Sequence, residues 1–465
     1  MDRDFPQEPW RTPAPPLAED PLARGAREVV ARLRAAGHEA LLAGGCVRDL
    51  LLGRPIADYD IATGARPEEV QALFARTVPV GIQFGVVIVL LDDPEDGAPR
   101  SYEVATFRTD GPYLDGRHPS RVRFTTPRED ALRRDFTING ISLEHVAGEV
   151  IDYVEGRGDL KQGVVAAIGD PAARFEEDKL RMLRAVRFSA RLGFPIARPT
   201  RAAIRALAPK IRQVSPERIR EELVKILTEG GARRGFEMMD ALGLLHEILP
   251  EIAAMKGVEQ PPEFHPEGDV WVHTLMLLEK LDAGASPELA LGALLHDVGK
   301  PPTFRVAERI RFDGHVEVGV EMTGDILRRL RFPNDTRDRV KDLVGAHMVF
   351  ADVQKMRPAT LKRFLRRPHF DEHLRLHWID CMSSHERLDA YRFCEEKLGE
   401  FEAQDAEEAL RPKPLLTGKD LIDMGYTPGP RFKEILSAIE DEQLEGRLAT
   451  REEAEAFART RFSVP

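Results

Sequence analysis

Two textures of hydrophobic and polar positions divide the chain. Up to about residue 150, short apolar runs alternate with short amphipathic ones. Residues 39–43, 59–62, 85–91, 102–107 and 122–125 read as strands, and 46–52 and 68–74 as helices. After Asp178 a helical period in Leu, Ala and Arg persists to the end. Pro261-Pro262 and Pro412-Lys413-Pro414 read as junctions. The predicted fold class is α+β: a small twisted sheet with helices over 26–148, then all-α segments at 149–212, 213–268, 269–390 and 391–465. Residues 1–25, proline-rich and acidic, read as a disordered tail without an apolar leader core.

Composition narrows the class. At 465 residues, three or so domains are expected; 42% hydrophobic and 31% charged residues are an ordinary globular balance. No apolar run approaches the ~18 residues of a membrane span. The three cysteines, Cys46, Cys381 and Cys394, are too few for a disulfide framework, so a reducing cytoplasm is expected. The net charge of −11 argues against a nucleic-acid partner. Its distribution reverses that: from Arg181 to Arg220 there are eleven Lys/Arg and one acid, Glu217. A local basic stripe tracks phosphates because distant charge is screened beyond a Debye length of ~8–10 Å.

The first chemistry lies in LLAGGCVRDLLLGRPIADYDIAT. Asp58 and Asp60, two apart on a predicted strand, point to the same side. Two carboxylates on one face repel unless a cation stands between them, and Mg²⁺ prefers a few carboxylates plus nucleotide phosphates. Glu103, in SYEVATF, is the candidate third carboxylate from a neighbouring strand. Alone, such a pair reads equally as a solvated strand end. Upstream, Gly44 and Gly45 turn from a strand into a helix whose first N–H groups suit a triphosphate, with Arg48 one turn further on. A helix carrying Asp178 and Arg181 at i,i+3, with Arg184 and Arg187 continuing the step, places an acceptor beside donors as a base edge requires; it also reads as an ordinary salt-bridged helix.

These stretches resemble the DNA polymerase β-like nucleotidyltransferases, and more narrowly the bacterial class II tRNA nucleotidyltransferases (CCA-adding enzymes) and related poly(A) polymerases, from about residue 26 almost to the end. The resemblance implies a nucleotidyltransferase head at 26–148, an RNA-binding neck with the nucleotide-reading helix at 149–212, a helical body at 213–268 and a tRNA-binding tail region at 391–465. FRTDGPYLDGRHPSRVRF matches the family's flexible loop, with Asp115 and Arg117 as its polar members; His118 stands where the family often has Arg. In RRDFTIN the resemblance gives Arg134 to the nucleotide, and Asp135 and Asn139 to the ribose pocket. The residues alone read equally as a surface salt-bridge cluster. It assigns Asp178 and Arg181 to reading the base of CTP and ATP, and Arg184 and Arg187 to triphosphate or tRNA backbone. SPERIREEL matches a later motif, with Ser215 as an N-cap candidate.

LGALLHDVGKP resembles an HD-type phosphohydrolase. His296 and Asp297 are its core pair, His273 and Asp380 the expected completing ligands, and His315 and His347 the residues for a second ion; His369, His373, His377 and His385 read as core or surface. The implied cofactors are Mg²⁺ at the polymerase site and a divalent metal at the HD site. The implied function is addition of CCA to the 3′ end of tRNA from CTP and ATP, with pyrophosphate release and no membrane partner. The flexible loop argues against a CC-only enzyme. Its rivals are an A-adding enzyme or poly(A) polymerase, and an HD phosphohydrolase whose head only holds RNA. The lack of a long basic C-terminal tail argues against the polymerase.

Overall fold

The computed structural model describes residues 5–95, 97–111, 122–263, 265–402, 410 and 412–462. It forms two compact units, Met1–Ala253 and Ala254–Pro465.

The first unit is built on β1 (Trp10–Pro13), β2 (Ala40–Ala43), β3 (Asp60–Thr63), β4 (Thr77–Gly81), β5 (Val86–Asp92), β6 (Pro99–Thr106), the ribbon β7 (Arg108–Asp110) with β8 (Val122–Phe124), β9 (Ile141–Glu144) and β10 (Glu149–Asp152). The sheet order is β1-β10-β9-β2-β3-β6-β5-β4. Neighbours run antiparallel except β3 and β6, which are parallel and pair Asp60 with Glu103. Helix α1 (Pro21–Ala35) buries Ala26, Val29, Val30 and Leu33. Its N-cap Asp20 accepts from the Ala23 amide at 2.8 Å, and Pro21 opens the first turn where no N–H is needed.

The expected tail is therefore folded over much of its length. β1 pairs with β10 from Trp10–Asp152 to Pro13–Glu149. Proline content suggested disorder, but β1 is an edge strand, where a missing N–H costs little. The same reasoning explains β4, which the sequence reading passed over: Pro79 sits on the opposite edge. The head also runs past residue 148, because β10 lies inside the sheet, between β1 and β9.

Helices α2 (Gly45–Leu51), α3 (Pro67–Leu73), α4 (Pro127–Leu132) and α5 (Gly156–Gln162) accompany the sheet. Beyond them come α6 (Pro171–Glu177), α7 (Arg181–Leu192), α8 (Arg198–Leu207), α9 (Pro216–Thr228), α10 (Ala232–Ala241), α11 (Leu244–Ile248) and α12 (Pro250–Ala253). The central helix is α7, which buries Met182, Leu183, Val186 and Phe188 and packs on α9 and α10. Ser215 stands at the N-cap of α9, but its side chain makes no capping hydrogen bond.

In the second unit follow α13 (Val270–Glu279), α14 (Pro287–Leu295), α15 (Lys300–Thr303), α16 (His315–Arg329), α17 (Asn334–Ala346), α18 (Pro358–Leu365), α19 (Phe370–Met382) and α20 (Asp389–Glu402). A small ribbon, Arg305–Val306 with Ile310–Arg311, interrupts the all-helical expectation. The boundary expected at 390 cuts a core: Cys394 of α20 packs with Phe350, Phe364 and Leu365. A separate cluster of Leu416, Leu421, Tyr426, Ile435 and Phe462 ends the described chain. Its first helix, Gly418–Asp423, is capped by a reciprocal box between Thr417 and Asp420. No helix among the described residues is long and apolar enough to cross a membrane.

Candidate functional site

At the end of β2 the chain turns at Gly44, which adopts φ +79° and ψ −126° before α2 starts. A Cβ here would stand 2.6 Å from Arg134 Nη1 and 3.8 Å from Asp60 Oδ2. The glycine lets the backbone, a guanidinium and a carboxylate converge. We expect Gly44→Ala to destabilise the chain by about 1–3 kcal/mol, the cost of a side chain in so sparse a backbone region. It should also displace Arg134. Thermal melting and nucleotide incorporation should both fall; unchanged values for both would refute this.

Asp60 opens β3, with Glu103 as its register partner on β6. Asp58 lies in the approach to the strand, not on it as the sequence suggested. Burial pushes Asp60 up to about 6, Glu103 and Asp58 push the same way, and Arg134 opposes them. Glu103 is raised too, by burial first and Asp58 second. Crowded carboxylates whose charged forms are this disfavoured are what a bound cation would relieve.

Arg134 Nη2 donates to Asp130 Oδ2 and its Nη1 to the Asn139 carbonyl, each at 3.3 Å. Asp130, buried on α4, also holds Arg133 at 2.7 Å. The sequence reading missed Asp130, although an acid three and four residues before Arg133 and Arg134 was a visible signal.

Asp135 is held at about 2: burial would raise it, but the adjacent Arg184 and the Asn139 amide outweigh that. Arg184 Nε donates to Asp135 Oδ2 at 2.7 Å and Asn139 Nδ2 to Oδ1 at 3.1 Å. Arg48, expected at a triphosphate, is buried and hydrogen-bonded within the protein. It donates to Asp49 at 2.8 and 2.9 Å and to Asn139 Oδ1 at 2.7 Å, and lies over the Phe188 ring. Arg187, expected at triphosphate or tRNA backbone, is likewise paired within the protein: its guanidinium is bound by Glu222 at 2.8 Å and Glu229 at 3.0 Å.

Asp178 and Arg181 do not share a helix. Asp178 is the C-cap of α6, and Arg181 begins α7. Each has another partner: Arg218 donates to both Asp178 oxygens at 2.7 and 3.1 Å, and Arg181 binds Glu177 at 2.7 Å. Asp115, Arg117 and His118 lie outside the described residues.

In the second unit, His273 of α13, His296 at the end of α14, Asp297 and Asp380 of α19 converge as expected. His273 Nε2 lies 3.0 Å from Asp380 and 3.3 Å from His296 Nε2, which is 3.1 Å from Asp297. His315 and His347 each bring Nε2 to 3.9 Å from Asp297. Gly299 permits the packing: a Cβ there would stand 2.1 Å from the His315 carbonyl. The Nδ1 atoms of His296, His315 and His347 each face a backbone carbonyl, at 3.1, 2.9 and 2.6 Å. This places the Nδ1 proton on the carbonyl side and turns the Nε2 lone pair inward. Burial first, then His296, pushes His347 down to about 4.

Two donor sets therefore face one another, His273–His296–Asp380 and Asp297–His315–His347, each with ligand atoms within 4.8 Å. The buried Nε2 atoms of His315 and His347 find no hydrogen-bond partner among the described residues. Inward lone pairs beside a carboxylate fit divalent cations. His373 instead bonds to Asp342 at 3.0 Å, and His377 stacks on Phe350.

Comparison with known proteins follows the same order along the chain. Residues 40–166 match the poly A polymerase head domain, 193–256 the probable RNA and SrmB-binding site of polymerase A, and 269–379 the HD domain. Over 232 residues the chain is 47% identical to a CCA-adding enzyme of Lactobacillus delbrueckii subsp. bulgaricus, covering 50% of this chain and 57% of that enzyme. A CCA-adding enzyme of Anoxybacillus flavithermus is 45% identical over 234 residues, with the same coverage. The matched region is thus little more than half the length of these curated relatives. The crystal structure of the Bacillus stearothermophilus CCA-adding enzyme in complex with CTP superposes with a TM-score of 0.69 at 28% identity, covering 96% of this chain and 98% of that one. The Thermotoga maritima CCA-adding enzyme complexed with tRNA_CCA shares the fold, with a TM-score of 0.54 at 19% identity over 95% of this chain and 96% of that one. Nucleotidyltransferase and HD families generally use divalent metals, and the second unit holds residue groups that suit them.

Proposed function

We infer that this chain is a member of the family of CCA-adding enzymes and poly(A) polymerases, whose domains it matches in order, and that it adds CCA to the 3′ end of tRNA from CTP and ATP. The observation that carries the reading is the pairing of Asp60 with Glu103 across adjacent parallel strands, beside Asp58, Gly44 and Arg134. Asp58 and Asp60 would hold Mg²⁺, with Glu103 assisting. Bound there, such ions draw charge from the attacking 3′-oxygen and the departing pyrophosphate. The RNA 3′-oxygen bonds to the α-phosphorus as the bond to pyrophosphate breaks. Arg134, tethered by Asp130, brings a fixed positive charge to the same corner. Asp178 and Arg181, at the α6–α7 junction, are the groups to meet the base edge, with Arg218 fixing the Asp178 carboxylate. The three cysteines are buried and unpaired, which suits a reducing cytoplasm.

The test offers three tRNA transcripts, ending before CCA, after C and after CC, with CTP and ATP supplied separately. CTP should extend the first two and ATP the third. Extension of the CC-ended transcript alone, by A alone, would show an A-adding enzyme and overturn the reading.

The unpartnered Nε2 atoms of His315 and His347 support a second reading, a phosphohydrolase in the HD domain. His273, His296 and Asp380 would hold one divalent cation, and Asp297, His315 and His347 a second. Such cations supply Lewis-acid polarisation of a phosphoryl group. Lys300, buried beside the centre, brings Nζ to 2.7 Å from Asp297 and 2.6 Å from Gln260 Oε1. The purified chain should hydrolyse a 2′,3′-cyclic nucleotide in the presence of a divalent metal, and His296→Ala should lose that activity while retaining CTP incorporation. No hydrolysis with any divalent metal would sink the phosphohydrolase and leave the transferase reading untouched.

A further inference from the structure

We propose that Glu267 is a positioning residue for the HD metal centre, acting through His273 to set the affinity of the His273–His296–Asp380 site for its cation. The proposal rests on the reading of those residues as metal ligands.

The sequence gives Glu267 no role. It precedes α13, outside the HD pair and its expected ligands. In the fold its buried carboxylate reaches the back of a ligand: Oε1 lies 2.7 Å from His273 Nδ1 and 2.9 Å from His265 Nδ1. His273 thus has a carboxylate behind it and the donor set in front, with Nε2 facing Asp380 and His296. The other imidazoles of the centre are arranged differently, since His296, His315 and His347 each have a neutral backbone carbonyl at Nδ1.

That difference has a chemical consequence. Glu267 Oε1 is hydrogen-bonded to His265 Nδ1 and lies 2.7 Å from His273 Nδ1 without a hydrogen bond to it, so its charge acts on the His273 ring electrostatically, favouring a proton at Nδ1 and making Nε2 a stronger donor to a cation. A carbonyl fixes the tautomer but adds no charge. His273 and His296 also bring their Nε2 atoms to 3.3 Å of one another. Asp380 stands 3.0 Å from His273 Nε2, so the two imidazoles and this carboxylate converge on one point, as three ligands of a single cation would. Glu267 therefore biases one of the two facing sites toward tighter binding, whereas Asp297–His315–His347 lacks such a carboxylate behind its imidazoles among the described residues.

The test titrates Co²⁺ into the full chain carrying Asp58→Asn and Asp60→Asn, so that the head site does not compete, and follows visible absorption and heat. The parent should take up two equivalents at the HD centre, and His315→Ala should lose only one. Glu267→Gln keeps the shape and a hydrogen-bond acceptor but removes the charge, so a purely structural role would leave binding unmoved. It should weaken the first equivalent about 10–100-fold and leave the second unchanged. Equal affinity in Glu267→Gln and the parent overturns the proposal while the metal reading stands. No uptake by the parent overturns the metal reading itself, and the proposal with it. If Glu267→Gln melts early, Glu267→Asp replaces it as the measurement: with its charge retained, it should bind the first equivalent more tightly than the glutamine variant, and equal weakness in both overturns the proposal.

Discussion

Asp60→Asn should abolish CTP incorporation to within about a thousandth of the parent rate while the chain stays folded. The magnitude follows from what a catalytic cation contributes, several kcal/mol of transition-state charge stabilisation. At about 1.4 kcal/mol per tenfold change, losing ~4 kcal/mol costs about three orders of magnitude. The fold should survive because Asp60 is a source of repulsion in the metal-free chain. It is crowded by Glu103 and Asp58, and the neutral amide removes that conflict without changing the packing of β3 on β6. The same logic sets a binding result. Mg²⁺ should raise the melting temperature of the parent by relieving the crowding, and raise that of Asp60→Asn much less. An Asp60→Asn protein retaining a tenth of the parent rate would show that catalysis does not depend on this carboxylate.

Which parts of this centre the sequence disclosed depends on how far each residue's partners lie along the chain. That Asp58, Asp60 and Glu103 come together was legible from the chemistry of like charges, and β3 against β6 supplies the Asp60–Glu103 register; strand periodicity misled only for Asp58, which lies in the approach to β3. His273, His296, Asp297 and Asp380 were legible for a similar reason, as few chemistries gather that donor set. The partners of Arg48 and Arg187 within the protein were not legible, because helical spacing says nothing of partners elsewhere. Arg48 is claimed by Asn139, 91 residues away, and Arg187 by Glu222, 35 residues away. Asp178 and Arg181 were put on one helix because i,i+3 spacing assumes an unbroken helix; the chain instead breaks at Asp178, and Arg218 from α9 takes its carboxylate. At the N-terminus, composition argued for disorder, while pairing with β10 is a long-range fact no local window contains. Glu267 escaped notice because its meaning lies in an imidazole six positions on, folded back upon it.

Arg187 yields the second large effect, on stability. Its guanidinium is buried on α7, between Glu222 of α9 and Glu229 just beyond it, and rests 4.4 Å from the Phe188 ring centre. Glu222 is buried as well, with Arg184 as a more distant second cation at 3.7 Å. Removing one member of a buried ion pair leaves the other charge desolvated and uncompensated, at a cost of about 3–5 kcal/mol. Glu222→Ala should therefore lower the melting temperature by on the order of 10 °C, taking roughly 2–4 °C per kcal/mol for a unit of this size. Replacing both partners by apolar side chains of similar volume removes the stranded charge, and such swaps are often neutral. Arg187→Met with Glu222→Leu should recover most of the loss, because Glu229 is half-open to solvent and keeps Arg191 at 3.7 Å. The double variant also separates the two roles proposed for Arg187. A strut between α7 and α9 predicts that restored melting brings restored CTP incorporation. A phosphate ligand predicts restored melting with incorporation still lost, and that result would return Arg187 to the nucleotide site.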